Sequence, residues 1–168
     1  MEKPHRPRGN WRDIILGGVI LLVVAADQLT KWWVTSNLAY GQVIWDVGFL
    51  RIINVQNTGA AFGIFQGFNL VFVVVYFIVL VVIVTVIARY HHHPYFVKSL
   101  MPRLIAGLIL GGMTGNLIDR IRFGHVTDFV DFKIWPAFNV ADSALTLSII
   151  LSCVYLIFYW GREPRHRP

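Results

Sequence analysis

Four apolar runs, Ile14–Val34, Phe68–Ala88, Leu104–Ile118 and Val140–Trp160, divide this chain and leave few folds open to it. A helix rising about 1.5 Å per residue needs roughly 20 residues to cross the hydrocarbon core of a bilayer, and the first, second and fourth runs have that length. The third is shorter and rich in glycine. It becomes long enough by starting near Leu100 or by continuing past Asp119, and Pro102 suits a first helical turn, where its missing N–H costs nothing. Helices are therefore expected over about 14–34, 68–88, 102–120 and 140–160, with outer connections over about 35–67 and 121–138. In a chain of 168 residues, 56% hydrophobic and 14% charged residues give more apolar surface than a water-soluble core of this size can hide. The expected class is an all-α polytopic membrane protein, residues 1–168 forming a single membrane domain.

Lysine and arginine placement gives the orientation. Lys3, Arg6, Arg8 and Arg12 precede the first run, Arg89, Lys98 and Arg103 flank the short second connection, and Arg162, Arg165 and Arg167 follow the fourth run. Lys31, Arg51, Arg120, Arg122 and Lys133 fall on the other side and are fewer. Both termini are thus expected in the cytoplasm. The net charge of +6 lies at the chain ends and between spans, not in one patch interleaved with aromatics, so it reads as a topology signal and not as nucleic-acid binding. The start has features of a secretory signal, with Ala25-Ala26 as small residues for cleavage. Because the apolar stretch resumes through Trp32 and Trp33, whose rings suit a membrane interface, it reads as a retained first helix.

The first outer connection carries strand signals. Gln42–Ile53 is rich in β-branched and aromatic residues broken by Gly48, Asn57-Thr58-Gly59 is a turn signal, and Ala60–Phe65 suits a further strand or the lead-in to the second span. In the third run, Gly107, Gly111 and Gly115 form a smooth stripe at spacing four that lets another helix approach closely. Packing within the bundle, and hence a monomer, is the expected use. Cys153 lies in an apolar run, where a thiol stays protonated and inert.

Ionisable and amide residues gather at one face. Asp27 and Lys31, four apart on the first helix, form either an ion pair or a brace for substrate or loop. Asn116, Asp119 and Arg120 end the third span; the arginine either snorkels or binds a carboxylate or peptide carbonyls. Asp128 and Asp131 sit in Val126–Phe132, where an extended segment points alternate residues to opposite faces. Asn139 and Asp142 match an N-cap with an acidic N3 residue. Under the topology drawn from basic residues alone, these groups and Asn57 all reach the outer side. His91-His92-His93 belongs to the cytoplasmic connection and reads as a solvated loop, while His125, outside beside Gly124, reads as a turn residue in preference to one that tunes Asp128. Two carboxyls that approach closely cannot both ionise easily, so one keeps a proton while the other activates water, with no metal or other cofactor required. Asp128 and Asp131 both remain open as the partner of Asp142. A proton or cation path would spread its carboxylates through membrane depth, and a non-catalytic assembly factor would leave the second outer loop's carboxylates without a role.

Five blocks, Asp27-Gln28-Leu29-Thr30-Lys31, Asn57-Thr58-Gly59-Ala60-Ala61-Phe62, Gly115-Asn116-Leu117-Ile118-Asp119-Arg120, Gly124-His125-Val126-Thr127-Asp128-Phe129 and Phe138-Asn139-Val140-Ala141-Asp142, occur in an order that resembles the bacterial lipoprotein signal peptidases, also called signal peptidase II. The resemblance covers nearly the whole chain. It implies an aspartyl endopeptidase of the inner membrane that removes the signal peptide from diacylglyceryl-modified prolipoproteins just before the lipidated cysteine, and sensitivity to the cyclic peptide globomycin. It also implies Asp128 and Asp142 as the catalytic pair, Asn57, Gly59, Asn116, Arg120 and Asn139 as substrate-binding or site-shaping residues, and Asp27, Lys31 and Asp119 as structural support. A small extracytoplasmic β-cradle and a short helix in the first outer connection belong to the implied architecture. Substrate and membrane lipid are the implied partners.

Overall fold

A computed structural model describes residues 11–59, 66–90 and 99–160. Among them are helices α1 (Trp11–Asn37), α2 (Asn69–Tyr90), α3 (Met101–Phe123) and α4 (Val140–Trp160), and strands β1 (Val43–Asp46), β2 (Arg51–Asn57) and β3 (Val126–Asp131). All four helices are long and apolar enough to cross a membrane. At the two extremes burial runs opposite to hydropathy. The most apolar, α2, has none of its spanning window buried, whereas the least apolar, α3, is mostly buried and packs against the other three. Lipid explains the inversion: a helix facing acyl chains must be apolar all round, while one enclosed by protein is free to carry amides, carboxylates and glycine.

The glycine stripe joins α1 to α3. A Cβ added at Gly107 or Gly111 would lie 2.8 Å from the Cβ of Val19 or Val23, and one at Gly115 would lie 2.5 Å from Asp27 Oδ2. Both helices advance four residues per contact, so one register places an apolar seam at its lower turns and Asp27 at its top. Gly112, on the adjacent side of α3, gives α4 similar access, since a Cβ there would meet the Ala141 carbonyl oxygen at 2.6 Å. Pro102 lies in the first turn of α3. At the other end, Gly124 adopts φ 76° and donates its N–H to the Arg120 carbonyl at 3.2 Å, a left-handed stop that turns the chain into β3.

The strands form an antiparallel sheet in the order β1-β2-β3. Register pairs Arg51 with Asp131, Val55 with Asp128 and Asn57 with Val126, with an irregularity between Ile52 and Val55. After β3 the chain bridges back to Val130 through Phe138 and enters α4. Val34 in the last turns of α1 and Leu38 just after its end pack with Phe129 of β3 and hold the sheet on the bundle. Full burial of such side chains is worth about 1.5–3 kcal/mol each. Asn54 adds a polar fastening by donating to the Leu38 carbonyl at 2.8 Å.

Some details differ from the sequence-based reading. α1 continues to Asn37 and α3 to Phe123, because polar residues can extend a helix beyond the hydrocarbon when protein or water satisfies them. Arg103, read as a topology charge flanking the second connection, is only 2% exposed and donates from Nε to Asp13 at 3.2 Å. Ala25-Ala26 lies inside continuous α1. No helix occurs among the described residues between α1 and α2; residues 60–65, where a further strand or lead-in was expected, and His91–His93 lie outside the described residues.

Replacing Gly111 with valine should force the α1–α3 seam apart and cost about 1–3 kcal/mol, the usual range for overpacking. Gly18→Ala, with nothing within 4 Å of the added carbon, should cause no loss. Thermal unfolding of both variants in the same detergent is the check.

Candidate active site

The site is assembled around a buried ammonium. Lys31 is 3% exposed, and its Nζ lies 2.8 Å from Asp27 Oδ2, 3.2 Å from Asp119 Oδ2 and 3.0 Å from Asn116 Oδ1. Three acceptors match its three N–H donors. The remaining capacity of both carboxylates is used to hold other elements. Asp27 Oδ1 accepts the Ala141 backbone N–H at 2.9 Å, fixing the first turn of α4, and Asp119 Oδ2 accepts the Thr127 N–H at 3.0 Å, fixing the start of β3. Gln28 completes the cluster, its Nε2 lying 3.0 Å from Asp119 Oδ1 and 3.2 Å from Asp27 Oδ2. The sequence reading gave Gln28 no role, although its place between two site residues of α1 was the available signal.

Amide orientation follows from this arrangement. Lysine has only donors, so Asn116 must turn its oxygen to Lys31 and its Nδ2 to Asp142 Oδ1, at 2.8 Å. Asn139 also has a fixed sense: its Oδ1 accepts the Asp142 N–H at 2.9 Å, and its Nδ2 reaches Asp128 Oδ1 at 2.7 Å. The expected cap is therefore present, with Asp142 Oδ2 accepting the Asn139 N–H at 3.3 Å. It does not exhaust Asp142, which also takes the Asn116 bond and lines a cavity.

Asp128 enters from β3. Its second oxygen accepts Asn57 Nδ2 at 3.0 Å, while Asn57 Oδ1 accepts the Gly59 N–H at 3.0 Å and closes the turn after β2. Arg120 does not snorkel. It is 4% exposed, donates from Nη2 to the Gly59 carbonyl at 2.8 Å, and lies over the Phe72 ring at 4.5 Å. Asn69, which donates to the Arg120 carbonyl at 3.1 Å, and Phe72 bring α2 into the site. Neither was singled out in the sequence, because one amide and one aromatic in a lipid-facing run carry no pattern.

Strand alternation separates the other candidate. Asp131 takes Arg51 Nε at 2.7 Å and Nη2 at 2.6 Å, and the Lys133 N–H at 2.6 Å, away from the cavity. His125 lies beside Phe123, their ring centroids 6.1 Å apart.

Asp128 and Asp142 line a cavity of about 760 Å³ with Asn57, Asn116 and Arg120. Its other wall is apolar, built from α2 residues such as Phe72 and Tyr76 and α4 residues such as Leu145 and Ile149. Burial, and then the charge of Asp142, push the Asp128 carboxyl up to about 7, against the opposing bonds from Asn57 and Asn139. A carboxyl poised there can hold or release a proton near neutral pH.

A family model described as Signal peptidase (SPase) II matches residues 19–158. The chain belongs to the signal peptidase II family. Similar relatives carry the name lipoprotein signal peptidase. The protein from Dehalococcoides mccartyi strain BAV1 is 45% identical over 136 residues, covering 80% of this chain and 84% of its own, and that from Halothermothrix orenii is 40% identical over 151 residues, covering 86% and 94%. A solved structure of a bacterial membrane enzyme at 2.3 Å resolution superposes with a TM-score of 0.77 at 29% identity, covering 92% of this chain and 94% of that one. A second, at 1.9 Å resolution, gives 0.73 at 32% identity, covering 85% and 92%. As a signal peptidase II, the chain is a protease with membrane-spanning helices, and every block quoted for the resemblance lies within the matched span.

Two outcomes are expected from this geometry. Lys31→Met leaves Asp27 and Asp119 buried without their cation and should cost about 3–5 kcal/mol, measured by thermal or denaturant unfolding in detergent. The Asp128 carboxyl, followed by carbon-13 NMR, should titrate near 7 and move down in Asp142→Asn, which removes a charge that raises it. Its folded value lies above the ordinary 3.8, so its contribution to stability is present at low pH and lost as pH rises through about 7.

Proposed function

We propose that this signal peptidase II is an aspartic endopeptidase of the bacterial inner membrane that removes the signal peptide from diacylglyceryl-modified prolipoproteins, cutting just before the lipidated cysteine. The observation that carries the reading is the pair Asp128 and Asp142, two carboxyls from different elements on the wall of one cavity. The names of the similar relatives support the prolipoprotein substrate.

In this mechanism the ionised member of the pair takes a proton from a water as it attacks the scissile carbonyl. The protonated member hydrogen-bonds the developing oxyanion; as the C–N bond breaks, the leaving amine takes one proton from the pair, which returns to a single proton. The pair titrates as a unit, and one shared proton defines its working state. Asn57 and Asn139 hold Asp128, Asn116 holds Asp142, and Arg120 braces the turn at Gly59. Asp27, Lys31 and Asp119 support the segments bearing the pair. The apolar wall suits the hydrophobic segment of a signal peptide. The substrate's two acyl chains, at about 0.8 kcal/mol per buried CH₂, concentrate it at the membrane surface. The bias of basic residues supports cytoplasmic termini and an active site toward the extracytoplasmic face. Use of the glycine stripe between α1 and α3 supports a monomer, and globomycin is the expected inhibitor.

Purified protein in bilayers should release signal peptide from a diacylglyceryl-modified prolipoprotein. Asp128→Asn and Asp142→Asn should each slow release on the order of 10³-fold, while Asp131→Asn stays within a few-fold. The rate should fall as pH rises past about 7, where Asp128 ionises and the shared proton is lost. Wild-type rates in either dyad variant, or equal cleavage of precursor lacking the lipid, would overturn the proposal.

A further inference from the structure

A second cavity, of about 450 Å³, also reaches Asp128. It shares Asn57, Asp128 and the segment Trp135–Ala137 with the main cavity, so these residues form a neck between the two spaces. The two differ in chemistry. The main cavity runs along α2 and α4 among aromatic and aliphatic side chains, whereas the second is mixed, with Gln56, Thr58, Gln66 and Lys133 of the outer connections set among Val55, Ile134 and the shared Trp135–Ala137 segment.

We infer that the second cavity binds the extended peptide segment that follows the lipidated cysteine, so that the substrate threads the neck with its scissile bond at Asp128. This rests on the peptidase reading above. The direction of threading follows from solvent preference. The signal peptide is the apolar half of the substrate and belongs with the helices; the segment after the cut is the water-soluble half and belongs with the outer loops. Lys133 does not turn the cleft into an anion site, because its Nζ is paired with Asp46 at 2.7 Å. Side-chain amides and a hydroxyl, which both donate and accept, suit the N–H and C=O groups of a main chain more than any one side chain. The cleft therefore senses that a peptide continues past the cysteine, with weak selection among the residues that follow.

The test uses two lipid-modified substrates with the same signal peptide, one continuing for six or so residues past the cysteine at about the 3.3 Å per residue of an extended chain, the other ending in a cysteine amide. Gln56 and Gln66 are exposed and lie outside the catalytic machinery, so tryptophan at either site fills the cleft from a different wall. Gln56→Trp and Gln66→Trp, each checked for folding by thermal unfolding, should lower kcat/KM on the longer substrate roughly tenfold, as expected for a few lost hydrogen bonds, and leave the cysteine amide within about twofold. Equal losses on both substrates, or no loss on either with both variants folded, would overturn the assignment. If the wild-type protein cuts neither substrate, the peptidase reading fails and the cleft assignment goes with it.

Discussion

The rest of this molecule depends on one ammonium group held away from water. Lys31 sits among Asp27, Asp119 and Asn116, and removing the ammonium would leave two carboxylates stranded in a region that cannot solvate them. The cluster offsets its own desolvation by using every remaining lone pair it can. Asp27 reaches across the gap left by Gly115 to the Ala141 N–H, and Asp119 reaches the Thr127 N–H. One cation thereby fixes the backbone immediately before Asp142 and immediately before Asp128. Support for the site is thus main-chain positioning, which side-chain packing in a lipid-solvated bundle could not deliver with the same directionality.

The same cation gives the network its sense of direction. An amide can present either end, but a lysine can only donate, so the choice at Asn116 is made by Lys31 and passed to Asp142. Asn139 is fixed separately by the Asp142 N–H and passes its donors to Asp128. An aspartate at 116 would preserve the contact with Lys31 but oppose Asp142 with a second acceptor. Asparagine at both positions is therefore a chemical requirement of holding two carboxyls with donors from one shared core.

Much of this was legible in the chain, for reasons that differ by element. The four spans could be read because lipid demands long apolar runs, and their extent is set by membrane thickness. The alternation around Asp128 and Asp131 indicated an extended segment, yet that segment alone left both residues open; pairing Val55 with Asp128 and Arg51 with Asp131 separates their neighbourhoods. The resemblance had favoured Asp128, and the geometry places it with Asp142 on one cavity wall. The Asn139–Asp142 cap was legible as a local pattern, but its second duty was not, because the Asn116 bond spans 26 residues. Arg120 was harder still. Its surroundings come from Gly59, Asn69 and Phe72, and no spacing rule links a turn, a helix start and a lipid-facing run.

The two site carboxyls belong to different parts of the fold, and that division has a consequence. Asp142 belongs to α4 and is placed when the helices pack; Asp128 belongs to β3 and is placed only when the sheet settles on the bundle. The joint between them is the apolar contact of Val34 and Leu38 with Phe129, fastened by Asn54 to the end of α1. Phe129 follows Asp128 directly, and successive residues of a strand point to opposite faces, so burying Phe129 against α1 turns Asp128 toward Asp142. Docking of the sheet and completion of the carboxyl pair are consequently one event. Anything that loosens the sheet separates the carboxyls, lets water reach Asp128 and returns its proton affinity toward that of an ordinary carboxylate.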